Sequence, residues 1–296
     1  MPSMYAHYSC GKKVLDILPR EIQELINSHK SLYLTGLQGP DVLFYYKPLK
    51  RNRVSAYGNE MHDRPAADFF RAAAQRLRGA ESSQAAAMQA YLLGFVCHFA
   101  LDSICHGYVE KKIAASGVSH IQIEAEFDRF LLQQDGHDPL RYRTADSLRA
   151  GSARSAAENA RVISRCFGDI SPAEIRKAIK SMISYSNFLL CPDTPKGNAK
   201  RKAIYAALKA AGKYDSLRHM IPSKDGEPAC ADSNLRLQKL MDQKAVPLAA
   251  RLIESCLAFL QGGGSLDPWF DRTFGPDDGW PNIRICTLEE EKIYEI

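Results

Sequence analysis

Apolar residues recur along most of this chain at three- and four-residue intervals, the spacing that gathers side chains on one face of a helix. No convincing run of alternating apolar and polar positions interrupts that period, so the pattern predicts an all-α fold, a multi-helix bundle. Helices are expected over residues 12–28, 64–77, 82–113, 119–133, 152–166 and 172–189, with two more near 200–211 and 233–260. Ser171-Pro172 offers an N-cap followed by proline in the first turn, and Gly262-Gly263-Gly264 closes the last helix. Breaks are expected at Gly39-Pro40, residues 135–139, 191–197 and 224–228, and there is no internal repeat. The run Ala90-Tyr91-Leu92-Leu93-Gly94-Phe95-Val96-Cys97 is apolar on every side, which predicts a buried helix rather than a surface one.

Composition narrows the class. The 296 residues, 45% hydrophobic and 25% charged, suit a single domain with a sizeable core. A net charge of +5 does not mark a dedicated nucleic-acid binder, so any effect of charge must be local. The eight cysteines include no Cys-x-x-Cys pair, and reduced thiols are expected. The first residues lack the basic-then-apolar order of a signal peptide, and no apolar stretch is expected to reach the roughly 18 residues of a membrane span. The expectation is a cytoplasmic protein without a transmembrane segment.

The candidate chemistry lies in two helical clusters. His98, Asp102 and His106 follow one another at i, i+4, as do His120 and Glu124, a spacing that stacks them on one face. From His98 to His106 a helix rises roughly 12 Å, too far for both imidazoles to reach one zinc at ~2.0 Å. Asp102 therefore bridges two ions, or the two histidines serve different ions. Burying this many ionisable groups without an ion would be costly. Cys105 lies near the same face, where a thiolate ligand or a small buried packing residue are the alternatives.

His7 in Tyr-Ala-His-Tyr, the segment Gly36-Leu37-Gln38-Gly39-Pro40-Asp41, His62 and the two clusters stand in the order of a known family. The chain resembles the zinc-dependent phospholipases C, relatives of the single-strand-specific zinc nucleases, strongly over its first half and weakly beyond. The resemblance implies an all-helical domain spanning 1–296, with the metal site in 1–134 and the remainder completing the core and a substrate groove. It implies two or three zinc ions: His62, His98 and Asp102 on one, Asp102 and His7 on a second, and His106, His120 and Glu124 on a third. Asp41 matches the carboxylate that orients the attacking water. Two departures stand out. The related enzymes give a lead tryptophan to the His7-side ion, whereas no tryptophan precedes Trp269 here, and Asp102 to His106 is a four-residue step where the secreted enzymes use six.

The implied function is metal-dependent hydrolysis of phosphate esters, with phospholipase C-like phosphodiester cleavage first. A single-strand nuclease is the alternative, and a metal-stabilised helical module without catalysis is the third reading. The partner is a phosphate-ester substrate, either a phospholipid headgroup or a nucleotide. Each residue also has a plainer reading. Taken alone, His7 is more often a packing histidine, and Asp41 after Gly-Pro is a turn or cap residue. His62-Asp63 also fits the His-Asp pattern of a different metal phosphohydrolase, which would leave His98, His106, His120 and Glu124 unexplained. His29, His137 and His219 are read as structural.

Between Lys196 and Lys213 there are six lysines and arginines and no acid, interleaved with Ile204, Tyr205 and Leu208. Such a run is most often a solvated helix face, and its functional reading is peripheral contact with an anionic surface. Residues 267–280, rich in aromatics and turn formers, are expected to pack over the core or rim the site. Glu289 to Glu291 read as a solvated tail.

Overall fold

A computed structural model describes residues 4–285, and among these the chain is helical throughout, with no strand. Thirteen α-helices run in order: α1 (Met4–Ile17), α2 (Arg20–Ser28), α3 (Lys30–Gly36), α4 (Arg53–His62), α5 (Ala66–Leu77), α6 (Ser82–Ser116), α7 (His120–Gln134), α8 (Ala153–Phe167), α9 (Pro172–Leu189), α10 (Pro195–Ala210), α11 (Tyr214–Leu217), α12 (Ala231–Leu240) and α13 (Val246–Leu260). Glu289 to Glu291 lie outside the described residues.

The 35-residue α6 is the axis of the bundle, and α1, α3, α8, α12 and α13 all pack on it. Its side chains are buried almost without a break from Ala87 to Leu101, which matches its all-round apolarity. The expectation that no apolar stretch reaches membrane-span length is corrected here. By length and composition α6 is apolar enough to cross a membrane, but 83% of that stretch is buried within the protein. Helix α3 approaches α6 at backbone contact: a Cβ on Gly94 would lie 2.2 Å from the Tyr33 carbonyl oxygen, and one on Gly36 2.2 Å from that of Tyr91. Only glycine on both helices allows that approach.

Several element boundaries differ from the expected ones for local reasons. The helix expected over 12–28 is two helices, because Pro19 cannot continue the hydrogen-bond ladder of α1 and instead precedes the first turn of α2. Helix α1 also starts earlier, at Met4, which places His7 on a helix. Helices α3 and α4 were not expected; at seven and ten residues they are too short for a clear period. The last long helix carries a π-helical turn, Met241–Ala245, just before Pro247, whose missing N–H interrupts the regular ladder. At Ser171 the expected cap is a full capping box with Glu174.

Candidate metal centre

On α6, His98 and Asp102 meet with Nε2 3.0 Å from Oδ2. One turn on, His106 brings its Nε2 to 3.7 Å from the other carboxylate oxygen of Asp102. His7 reaches that same Oδ1 from α1, at 3.4 Å. Asp102 therefore faces His98 with one oxygen and His7 and His106 with the other, as a bridging carboxylate would.

The 36–41 segment explains itself residue by residue. Gly36 permits the α3–α6 approach, and the Leu37 carbonyl then accepts a hydrogen bond from His98 Nδ1 at 3.2 Å. Gln38 is buried and donates to the Met4 carbonyl at 3.4 Å, tying the segment to the start of α1. Gly39 has φ +49° and passes directly over the His98 ring, where a Cβ would lie 2.3 Å from a ring carbon. Pro40 opens a short 3-10 turn that delivers Asp41 to His62, Nε2 to Oδ1 3.2 Å. His62 pairs with Asp41 rather than with its exposed neighbour Asp63, so the alternative His-Asp phosphohydrolase pattern is not assembled.

The third group forms where α7 meets α6. Glu124 Oε1 lies 3.0 Å from His120 Nε2 and 3.8 Å from His106 Nε2. In all, three sets of candidate ligands converge, each with its ligand atoms within 4.8 Å of one another: His7, His98 and Asp102; Asp41, His62 and His98; His106, His120 and Glu124. His98 is shared by two sets, and Asp102 touches His106 of the third, so all eight sequence-nominated residues are brought together. The grouping differs in two respects from the one the resemblance implies. His98 also stands with His7 and Asp102. Asp41 stands with His62 and His98 at ligand distance, in the place given there to Asp102.

The hydrogen bonds of these histidines prepare them to bind metal. A carbonyl oxygen only accepts, so the nitrogen facing one must carry hydrogen. Nδ1 of His62 donates to Gly58 O at 2.7 Å, that of His98 to Leu37 O, and that of His106 to Phe274 O at 2.8 Å. In the neutral imidazole this leaves the Nε2 lone pair free, the arrangement that orients metal-ligating histidines. His7 Nδ1 is moreover buried without a hydrogen-bond partner, and buried His98 Nε2 faces the Asp102 carboxylate. Such buried nitrogens amid carboxylates suit a divalent cation, and imidazole with carboxylate suits zinc.

Electrostatics points the same way. Burial favours a neutral Asp102, but the imidazoles of His98, His106 and His7 overcome it and hold the carboxyl well below the usual range. For Asp41 burial is likewise outweighed, chiefly by the hydrogen bond from His62, leaving it at about 2. Burial disfavours charge on His106, yet Asp102 and Glu124 raise it to about 9. His7, desolvated and stacked 4.1 Å from the His98 ring, is pushed down to about 3 and stays neutral. The Cys105 thiol is buried and pushed far up, and no candidate set among the described residues includes a cysteine. Packing is the role left to it.

Two features go beyond the sequence motifs, although residues 267–280 of the second were expected to pack over the core or rim the site. Asp128 on α7 accepts from Tyr5 N at 3.0 Å and Ala6 N at 2.8 Å, capping the first turn of α1 and so fixing His7. The segment 265–285 straps across α6: Trp269 Nε1 donates to Ser103 Oγ at 3.0 Å, and Phe274 is buried against His62, His98, Phe95 and Phe99. Its carbonyl orients His106 from 168 residues away. The aromatic content of 267–280 was the one available signal. His29, His137 and His219 lie outside the three sets.

Fold and site together define an all-α protein with three candidate histidine–carboxylate metal sets. The profile of the zinc dependent phospholipase C family matches residues 6–184, a stretch that contains all eight candidate ligands. The chain belongs to that family. Membership and the three clusters support a metal-dependent hydrolase whose ion is zinc. No curated protein and no solved structure matches the chain.

Proposed function

We propose that the protein is a phosphodiesterase of the phospholipase C kind, which uses water to cleave a phosphodiester. The observation that carries this reading is the linkage of three histidine–carboxylate sets through His98 and Asp102. His62, His98, Asp102, His7, His106, His120 and Glu124 would hold two or three zinc ions. When bound, zinc neutralises the phosphoryl oxygens and lowers the pKa of water toward ~7.

The chain's own residues then have distinct tasks. Asp41, ionised at neutral pH, accepts a hydrogen bond from the attacking water and holds it in line. Water attacks phosphorus, the bond to the alcohol oxygen breaks, and the alcohol leaves with a proton. The carbonyls of Gly58, Leu37 and Phe274 keep three imidazoles from turning. His7, Asp102, His106 and Glu124 line a small cavity of about 30 Å³, and a separate cavity of about 340 Å³, lined by Met4, Tyr45, Asp128 and Tyr142 and by none of the candidate ligands, has room for a headgroup. A cytoplasmic setting, which would keep the thiols reduced, belongs to the same proposal.

Elemental analysis of purified protein should find two or three zinc ions per chain. Turnover of bis-p-nitrophenyl phosphate, phosphatidylcholine and single-stranded DNA then separates the phospholipase from the nuclease and from an inert metal module. Asp41→Asn should abolish turnover with the metal retained; loss of metal would instead make Asp41 a ligand. Protein that takes up no zinc would end the proposal.

A further inference from the structure

Helix α10 is built unlike the rest of the bundle. Of its sixteen residues only Gly197 is buried. Ile204, Tyr205, Leu208 and Arg201 make up its half-buried side, where Arg201 donates to the carbonyls of Cys191 and Pro222 at 2.9 and 3.4 Å. The opposite side stands in solvent. Lys196, Lys202 and Lys209 are exposed, alanines 199, 203, 206 and 210 are exposed between them, and Lys213 follows just past the helix end. Lys196 and Lys200 lie at i, i+4 on one flank, and Lys202 and Lys209 at i, i+7 on the other.

Beside this helix the protein exposes aromatic rings. Phe188, near the end of α9, is 55% exposed and lies 4.7 Å from the Lys200 ammonium, while Tyr185, one turn earlier, is 39% exposed. They are two of the four exposed large apolar residues among the described residues. A lone exposed ring is ordinary. Two rings beside five lysines, with no acid between Thr194 and Tyr214, have a more specific meaning. Lysine ammonium groups reach lipid phosphates while aromatic rings enter the interfacial layer of a bilayer.

We propose that the exposed face of α10, with Tyr185 and Phe188, docks the protein on an anionic phospholipid membrane. Charge complementarity selects a polyanion, and two features select lipid over nucleic acid. The helix presents a convex face of small side chains rather than a groove of stacking aromatics, and its single arginine is turned inward. The choice of lipid rests in part on the phospholipase reading. Tyr205 of α10 and Asn187 of α9 also line the 340 Å³ cavity shared with Met4, Tyr45 and Asp128. The docking face thus adjoins that cavity.

Co-sedimentation of the full-length protein with vesicles tests this, lipid hydrolysis being recorded in the same tubes. Vesicles of phosphatidylcholine mixed with phosphatidylglycerol should bind it, pure phosphatidylcholine should bind it weakly, and added salt should release it. The triple substitution Lys202→Glu, Lys209→Glu, Lys213→Glu should cut anionic-vesicle binding on the order of a hundredfold, about fivefold or more per lysine. Phe188→Ala should weaken it by less. These residues stand in solvent, so the variants keep the fold, which circular dichroism checks. Equal binding to both vesicle types, or a triple variant that binds like the parent, overturns the proposal. So does binding to single-stranded DNA but not to anionic vesicles. Vesicle binding without hydrolysis would leave the docking face standing and remove the phospholipase reading instead.

Discussion

Helices α6 and α10 are the two extremes of this molecule. In α6 the stretch from Ala87 to Leu101 is almost wholly buried, with His98 inside it and Asp102 and His106 continuing it; in α10 one glycine is buried and most of the lysines stand in water. Inside α6 every polar atom must find a partner or cost stability, so each ligand is held by atoms from another element. On the exposed face of α10 water solvates Lys196 and Lys202, while Arg201 and Lys200 on its inner flank donate to carbonyls of the protein. A substitution near α6 therefore propagates into the site, whereas one on α10 stays local.

The strap over α6 gives the largest expected contrast. Phe274→Ala removes a fully buried ring, and truncations of this kind cost about 3–5 kcal/mol. It also unseats the carbonyl that orients His106, so zinc in the His106–His120–Glu124 set should bind roughly 10–100-fold more weakly. Thermal unfolding and zinc titration measure the two effects. Leu208→Ala, on the half-buried side of α10, should leave zinc affinity unchanged. If Phe274→Ala kept its full zinc content and affinity, the strap would be mere covering.

Much of this architecture could be read from the chain. The i, i+4 clusters of α6 and α7 are periodic and contiguous, so their faces, and the impossibility of one ion serving His98 and His106, followed from helix geometry. His7, Asp41 and His62 were nominated only through the order they share with a family, because no local period joins them. Asp128 was not nominated at all, and Phe274 only as part of the segment 267–280 expected to pack over the core or rim the site. One acts through backbone N–H groups and the other through a backbone carbonyl, and the sequence writes only side chains. The same limit hid α3, whose role depends on what Gly36 lacks. The π turn at Met241–Ala245 could have been anticipated from Pro247.

Glycine at the α3–α6 crossing supplies a second, smaller contrast. Gly94→Ala places a methyl 2.2 Å from the Tyr33 carbonyl oxygen, which is backbone and has little room to yield. Overpacking of this sort costs about 1–3 kcal/mol. Moving α3 would also shift Leu37, whose carbonyl holds His98, so the loss of stability should come with weaker zinc binding. Denaturant melts with and without zinc would show the two together. A variant as stable as the parent would mean that α3 is free to slide.

The smallest effect is a proton count, and it follows from the charge that α6 carries without metal. His106 is held at about 9 against an unfolded value near 6.5, so it is largely protonated at pH 7 in metal-free protein, and His62 is shifted in the same direction. Their Nδ1 atoms donate to carbonyls, and in this charged form Nε2 donates as well, His62 to Asp41. Zinc needs the Nε2 lone pair, so binding at pH 7 must expel at least one proton per chain. The sign for stability is fixed by the same shifts. Groups raised on folding stabilise the metal-free protein fully below pH ~6.5, and that contribution fades as pH rises through about 9. Over that window zinc affinity should rise as proton competition falls. Titration calorimetry in buffers of different ionisation enthalpy measures the released protons directly, and heats independent of buffer at pH 7 would show that His106 is neutral before the metal arrives.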